Sequence, residues 1–278
     1  MNLKDFFDES SAKVFKPVAF FLALVIVFTS GTLIGFMTNL EVTVNGGTGS
    51  ASVVAPGASS TPQTSTPTTP PVENNTDMTP AEIIELFNES ANKVKTDAVK
   101  VTKNYEYRKY NEEKSVLPGA LKGMADSAMG VAFKDDTDPI VYATKKEIIA
   151  NYQVPGETWS SCLTEAEVEQ VACDDKGNEY EIYIKLKPSL SPANAEGVAK
   201  AFDTITAAEV KENAPSILKD FETEYYDCEI RCKIDKESGR MTWSNYTSPV
   251  IMKADVEMFG TLAAEVAMSF EKDYTIEY

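Results

Sequence analysis

Four cysteines carry the most definite chemistry in this sequence: Cys162, Cys173, Cys228 and Cys232. Four cysteines allow three pairings. Cys228 and Cys232 stand four apart in a stretch with strand alternation, which separates their Cα atoms by about 13 Å against a disulfide limit of about 7 Å. That removes 228–232 and, with it, 162–173. Of the two pairings left, antiparallel nesting favours Cys173–Cys228 with Cys162–Cys232, and loops this long would stabilise by about 3–4 kcal/mol each. The competing reading makes Cys228 and Cys232 small buried hydrophobes on the face of Ile230 and Ile234. No C-x-x-C occurs, so a dithiol redox centre is not indicated.

Other reactive constellations are sparse. The 278 residues include no histidine, which excludes Ser-His-Asp and Cys-His catalysis, His-ligated zinc and histidine-held haem. Asp135, Asp136 and Asp138, or Asp174 and Asp175 beside Glu179, could offer oxygen to calcium. Neither run has the spacing of a D-x-D-x-D-G loop, and both fall where turns are expected, so they read as solvated turns. Ser216-Ile217-Leu218-Lys219 matches S-x-x-K, but the companion motifs S-D-N and K-T-G are missing and the match reads as chance. No catalytic residue, metal site or cofactor is expected, and an enzyme is not the favoured class. With 26 basic against 43 acidic residues the formal net charge is −17, which repels nucleic acid.

The methionines are more suggestive. Met241, Met252, Met258 and Met268 fall at inward strand positions, and Met124 and Met129 lie on a segment with helical spacing that could cover them. Flexible thioethers suit a surface that adapts to varied apolar guests. With Trp243 and Phe270 they form the expected lining for a hydrophobic ligand, a lipid or acyl group. An ordinary sheet core would use the same residues, which makes a filled interaction or envelope-assembly module the alternative.

These side chains need elements to hold them. Pro17 to Leu40 is uncharged and apolar enough to cross a bilayer, about 36 Å long as a helix at about 1.5 Å per residue. Lys13 and Lys16 precede it and no Lys or Arg follows until Lys93, so residues 1–16 are expected in the cytoplasm and the rest outside. The apolar run lacks a prompt small-residue cleavage site and reads as an uncleaved anchor. Residues 41–78 are rich in Gly, Ser, Thr and Pro, with no charge between Glu41 and Glu73, and are expected to be a disordered linker.

Residues 79–278 then form the folded domain. Thr79-Pro80-Ala81-Glu82 is a helix start, followed by Ile83, Ile84, Phe87, Ala91 and Val94 at helical spacing. Near Ala98 the period becomes two: Val99, Val101, Tyr105 and Tyr107 alternate with Lys100, Thr102, Asn104, Glu106 and Arg108. Helical segments are expected over 117–133, 192–202 and 206–221. Val168–Cys173 and Glu179–Lys187 make a hairpin. The row Tyr226, Cys228, Ile230, Cys232, Ile234 leads through a Lys236–Gly239 turn to Met241 and Trp243. Val250, Met252, Ala254 and Ala264, Val266, Met268, Phe270, Tyr274, Ile276 complete an antiparallel meander with one buried face. The expected class is α+β, with helices on one side of the sheet.

An amphipathic helix feeding a long strand, the antiparallel sheet and the turn Ile234-Asp235-Lys236-Glu237-Ser238-Gly239-Arg240-Met241 together resemble the lipoprotein-carrier half-barrel, as in tethered extracytoplasmic proteins of Gram-positive anaerobes. The resemblance covers roughly residues 79–278. It implies a curved antiparallel sheet closed by helices around an apolar cavity for an acyl chain or lipoprotein, and no catalytic residues. The four cysteines and the membrane tether depart from a shuttling carrier.

Overall fold

The computed structural model describes residues 74–117, 135–206, 218–257 and 261–278. The expected membrane span over 17–40, most of the linker, the helix over 117–133 and residues Met124, Met129, Ser216 and Met258 lie outside the described residues. Among the described residues no helix is long and apolar enough to cross a membrane.

The first helix, α1 (Pro80–Asp97), begins as its sequence dictates. Thr79 accepts from the Glu82 amide, the Glu82 carboxylate reaches back to the Thr79 amide, and Pro80 occupies the first turn. Its buried stripe is Ile83, Ile84, Phe87, Ser90, Ala91, Val94 and Lys95. The strands follow in order: β1 (Lys100–Val116), β2 (Ile140–Tyr142), β3 (Val168–Asp175), β4 (Glu179–Leu186), β5 (Ser189–Leu190), β6 (Leu218–Tyr225), β7 (Glu229–Asp235), β8 (Arg240–Glu257) and β9 (Thr261–Glu277). A second helix, α2 (Lys145–Asn151), lies between β2 and β3. It is headed by a Thr144/Glu147 capping box. A 3-10 turn spans Gly197–Lys200, where a longer helix over 192–202 was expected. Leu218 to Phe221, expected to end a helix, instead open β6.

All pairings are antiparallel, in a single open sheet of order β2-β1-β9-β8-β7-β4-β3, with β6 joining β8 and β5 joining β6. The class is α+β. Strand β8 is flanked by β9 from Trp243 to Glu257 and on its other side by β7, then β6. The handover falls where Pro249, which has no N–H to give to a ladder, accepts from the Tyr226 amide. Asp227 turns the chain there with φ 47°.

The inner face, against which the helices pack, is one core. Cys173, Ile182, Cys232, Ser244 and Tyr274 form a single row across β3, β4, β7, β8 and β9, all at 1% exposure or less. Leu186, Ile230, Ile234, Met241, Val250, Met252, Val266 and Met268 extend it. Helix α1 is fastened at the β7–β8 turn, where Ser90 Oγ and Lys93 Nζ both donate to the Gly239 carbonyl, at 3.0 and 3.3 Å.

Two register shifts change which side chains reach this face. In β1 the ladder to β9 slips between Lys103 and Tyr105. A bulge adds one residue and so moves every later side chain to the other face. Val101 and Lys103 point inward before it, and Glu106 and Arg108 point inward after it. Tyr105 and Tyr107, expected in the core, are therefore on the outer face, and Val99 is 61% exposed. In β8 the ladder to β7 slips between Trp243 and Met241. Met241 is fully buried, and Trp243 turns to the outer face, contrary to the expectation that the two share a side.

Candidate functional site

The described members of the expected ligand lining are spread along the sheet. Met241, Met252, Met268 and Phe270 are buried on the inner face. Met241 lies at the helix-covered end, against the Tyr152 hydroxyl, 3.5 Å from its sulfur. Met252 and Met268 sit on β8 and β9 in adjacent rows, Met268 opposite Val250 and Met252 opposite Val266. Eleven residues of extended chain separate Met241 from Met252, roughly 36 Å at about 3.3 Å per residue. Trp243 is on the other face altogether.

At the helix-covered end the inner face is packed with aromatic rings. Tyr152, from the end of α2, meets Tyr274 and Tyr246 edge-on at 5.1 and 6.4 Å, and Phe202 meets Tyr246 at 5.4 Å. Such edge-to-face contacts are favourable beyond their buried area. The Tyr152 hydroxyl is 3.1 Å from Ser244 Oγ, and burial pushes its pKa up to about 12.

Beside these rings lies a constellation that the alternation pattern hid: charged side chains on the inner face of β1 and β9. Glu106 is its hub. Lys103 Nζ lies 2.6 Å from Glu106 Oε2, and Arg108 reaches Oε1 at 2.8 Å through one terminal nitrogen. Lys103 also faces Asp136 at 3.8 Å. Lys272, opposite Glu106 in the ladder, bridges to Asp203 at 3.0 Å. The backbones of Glu106 and Asp136 exchange two hydrogen bonds, at 2.8 and 2.9 Å, which hold the Asp135–Asp138 turn against β1. Burial alone would push the Glu106 carboxyl up, but Lys272, Lys103 and Arg108 outweigh it and hold the group well below the usual carboxylate range. Burial likewise pulls the Lys272 ammonium down, yet Asp203 and Glu106 carry it above its ordinary value. Three cations and three carboxylates thus neutralise one another. The cluster is arranged to be satisfied, and nothing in it is left as a free base or nucleophile. The signal that could have found it is the polar run Lys103-Asn104, where a strand bulge inverts the pattern.

A second buried charge fixes the loop after α2. Lys95 Nζ donates to the carbonyls of Val154, Glu157 and Trp159 at 2.7, 2.9 and 3.0 Å. Desolvation lowers its pKa to about 8 against the pull of Glu157 and Asp203. The same helix uses asparagine amides as peptide mimics. Asn88 pairs with the backbone of Leu163, and Asn92 with Ser160 and Ser161. Between α1 and this segment runs an open groove of about 340 Å³, lined by Ile84, Leu163, Glu85, Glu89 and Glu165 among others.

All four cysteines are free thiols, Cys162 exposed and the other three buried. The expected pairing Cys173–Cys228 with Cys162–Cys232 is not formed, and the register explains why. Cys173 and Cys232 both sit opposite Ile182, two strand spacings or about 10 Å apart. Cys228 lies beside Leu186, whose amide donates to its carbonyl, so a further four residues of β4, about 13 Å, separate it from Cys173. Burial pushes the Cys173 thiol up to about 11. Cys228 and Cys232 are the small buried hydrophobes of the competing reading.

Among the described residues no three His, Cys, Asp or Glu side chains are grouped to hold a metal ion. Of the S-x-x-K match, Lys219 is an exposed residue of β6. Comparison with known proteins finds no matching family model, no matching curated protein and no matching solved structure.

Proposed function

We propose that this chain is a membrane-anchored protein whose half-barrel domain, presented outside the cell on a flexible linker, binds a hydrophobic ligand such as a lipid or acyl group without catalysis. One observation carries this reading: among the described residues the apolar inner face runs further than the helices packed on it. Strands β8 and β9 have 18 and 17 residues, roughly 55–60 Å at about 3.3 Å per residue. Helix α1, with 18 residues, is about 27 Å long and is fastened at the β7–β8 turn. Beyond its reach the face continues apolar and buried through Val250, Met252, Ala254, Val266 and Met268, with Phe221 and Tyr225 of β6 alongside. Adaptable methionine beside small alanine is a surface suited to an aliphatic chain. The anchor, the linker and the outside location rest on the sequence of residues 1–78.

A second reading is favoured by the ring-packed end of the face. There the core is filled, as in an interaction or envelope-assembly module whose sheet serves only as a scaffold. Native mass spectrometry of residues 74–278, which carry the whole described sheet and core, separates the two. Ligand binding predicts a co-purified lipid mass that disappears in Met252→Lys while the far-UV spectrum is retained. A single apo mass from several expression hosts, with no change in unfolding midpoint on adding fatty acid, contradicts it.

A further inference from the structure

The outer face of β1, β8 and β9 carries a patch that neither the core nor the charge cluster uses. Its centre is Asp273, a carboxylate only 6% exposed. It accepts from Asn104 Nδ2 at 2.7 Å, Trp243 Nε1 at 2.9 Å and Asn245 Nδ2 at 3.3 Å. Glu271, two residues away on the same face, accepts from the Tyr105 hydroxyl at 3.0 Å and from Asn245 at 3.3 Å, both through Oε1. Every one of these donors is neutral. Among the described residues neither carboxylate has a cationic partner, in contrast to the surface pairs Lys236–Asp175, Lys253–Glu224 and Lys233–Glu179. Two negative charges therefore stand uncompensated, and burial together with Asp273 and Glu271 raises the Tyr105 hydroxyl above its ordinary range.

The rings around them show the same vacancy. Among the described residues, five tyrosines have a basic side chain over the ring: Lys109 on Tyr107, Lys236 on Tyr180, Arg231 on Tyr183, Lys114 on Tyr226 and Arg240 on Tyr278, at 3.7 to 6.0 Å. Tyr105 stacks one face on Tyr107 at 4.3 Å. Trp243, the strongest acceptor of a cation among the aromatic side chains, carries none from the described residues. It is half-buried, with its indole edge fixed to Asp273.

We propose that this outer-face patch is a docking site for a polypeptide partner that presents arginine, its guanidinium laid on Trp243 and hydrogen-bonded to Oε2 of Glu271. The charges are complementary. A planar guanidinium stacks on an aromatic face and reaches a carboxylate in the same plane, which a lysine ammonium does not. The donors that hold Asp273 and Glu271 fix the carboxylates before any partner arrives, so little ordering is left to the binding step.

Trp243 reports directly on the site. Of the two tryptophans, Trp159 is removed by Trp159→Phe, leaving one emitter in the full chain held in a neutral detergent micelle. Titration with a short peptide alternating Arg and Gly is expected to shift Trp243 emission saturably. Glu271→Gln should raise the Kd at least tenfold, and the Lys-for-Arg peptide should bind at least tenfold more weakly. Glu85→Gln, which removes the same charge from α1, should leave the titration unchanged. Equal losses in Glu271→Gln and Glu85→Gln would show diffuse attraction to an acidic protein and overturn the site. So would an equal response to the lysine peptide, or a saturable response to a neutral oligosaccharide with none to the arginine peptide.

Discussion

The inner face has two halves that solve the problem of burial in opposite ways. Across β3, β4 and β7 it is made of Cys173, Ile182, Ile184, Leu186, Cys228, Ile230, Cys232 and Ile234, with no formal charge. Across β9 and β1 the same rows continue into Lys272, Lys103, Glu106 and Arg108. A single row runs Val171, Ile184, Ile230, Tyr246, Lys272, Glu106 and Asp136, crossing from aliphatic to ionic within one sheet. The first half gains stability from area removed from water and tolerates small changes of volume. The second half holds together only while every charge has its partner, because a lone buried ion costs several kcal/mol.

That contrast can be broken most sharply at its hub. Glu106→Gln leaves Lys103 and Arg108 facing a neutral amide and should cost about 3–5 kcal/mol, as for one partner removed from a buried pair, read from urea unfolding. A cost below 1 kcal/mol would mean that the cluster is solvated and the two halves do not differ. The acid limb of stability comes next. The folded Glu106 carboxyl lies below its unfolded value of 4.5, so the folded state binds fewer protons in the acid range. Its contribution is present above about pH 4.5 and drains as the pH falls further. Wild type should therefore lose stability more steeply than Glu106→Gln below that pH.

Smaller effects test the aliphatic half. Ile230→Val removes one methylene from a close-packed row and should cost about 0.5–1.5 kcal/mol with no pH dependence. Thr223 on β6 is 2% exposed and its hydroxyl has no hydrogen-bond partner among the described residues. Thr223→Val deletes that unsatisfied group at nearly constant shape and should raise stability by about 1 kcal/mol. The smallest expected effect is none at all. With four free thiols, adding a reductant should leave the unfolding midpoint where it is, whereas a drop worth about 3–4 kcal/mol would reveal a disulfide.

The two halves also differ in how far the sequence revealed them. In β4, β7 and the far parts of β8 and β9, strict alternation runs without interruption, and Ile182, Ile230, Met252, Val266 and Met268 are inside where the period of two puts them. In β1 the period breaks at Asn104, marked only by the polar pair Lys103-Asn104, and in β8 it breaks near Thr242, where nothing in residue type marks the bulge. The alternation then sends Tyr105, Tyr107 and Trp243 inward and Glu106 and Arg108 outward, the reverse of what the ladder does. Both surfaces of chemical interest, the charge cluster and the aromatic–carboxylate patch, lie where those shifts occur. The disulfide expectation failed for a related reason. Spacing along one strand could be read from residue numbers, but the register that sets Cys173 and Cys228 four positions apart on β4 could not. Helix α2 was legible in its Thr144/Glu147 box, but its seven residues are too short to show a period.

The most direct test of the account is the carboxyl titration of Glu106, followed by carbon-13 NMR on glutamate-labelled protein and assigned by the signal lost in Glu106→Gln. An inward Glu106 held by Lys272, Lys103 and Arg108 predicts a carboxyl resonance that stays at its ionised position from pH 7 down to about 3. A signal that titrates with the exposed glutamates near pH 4.5 would place Glu106 in water, return Tyr105 to the core and contradict the bulge on which the inner and outer faces are assigned.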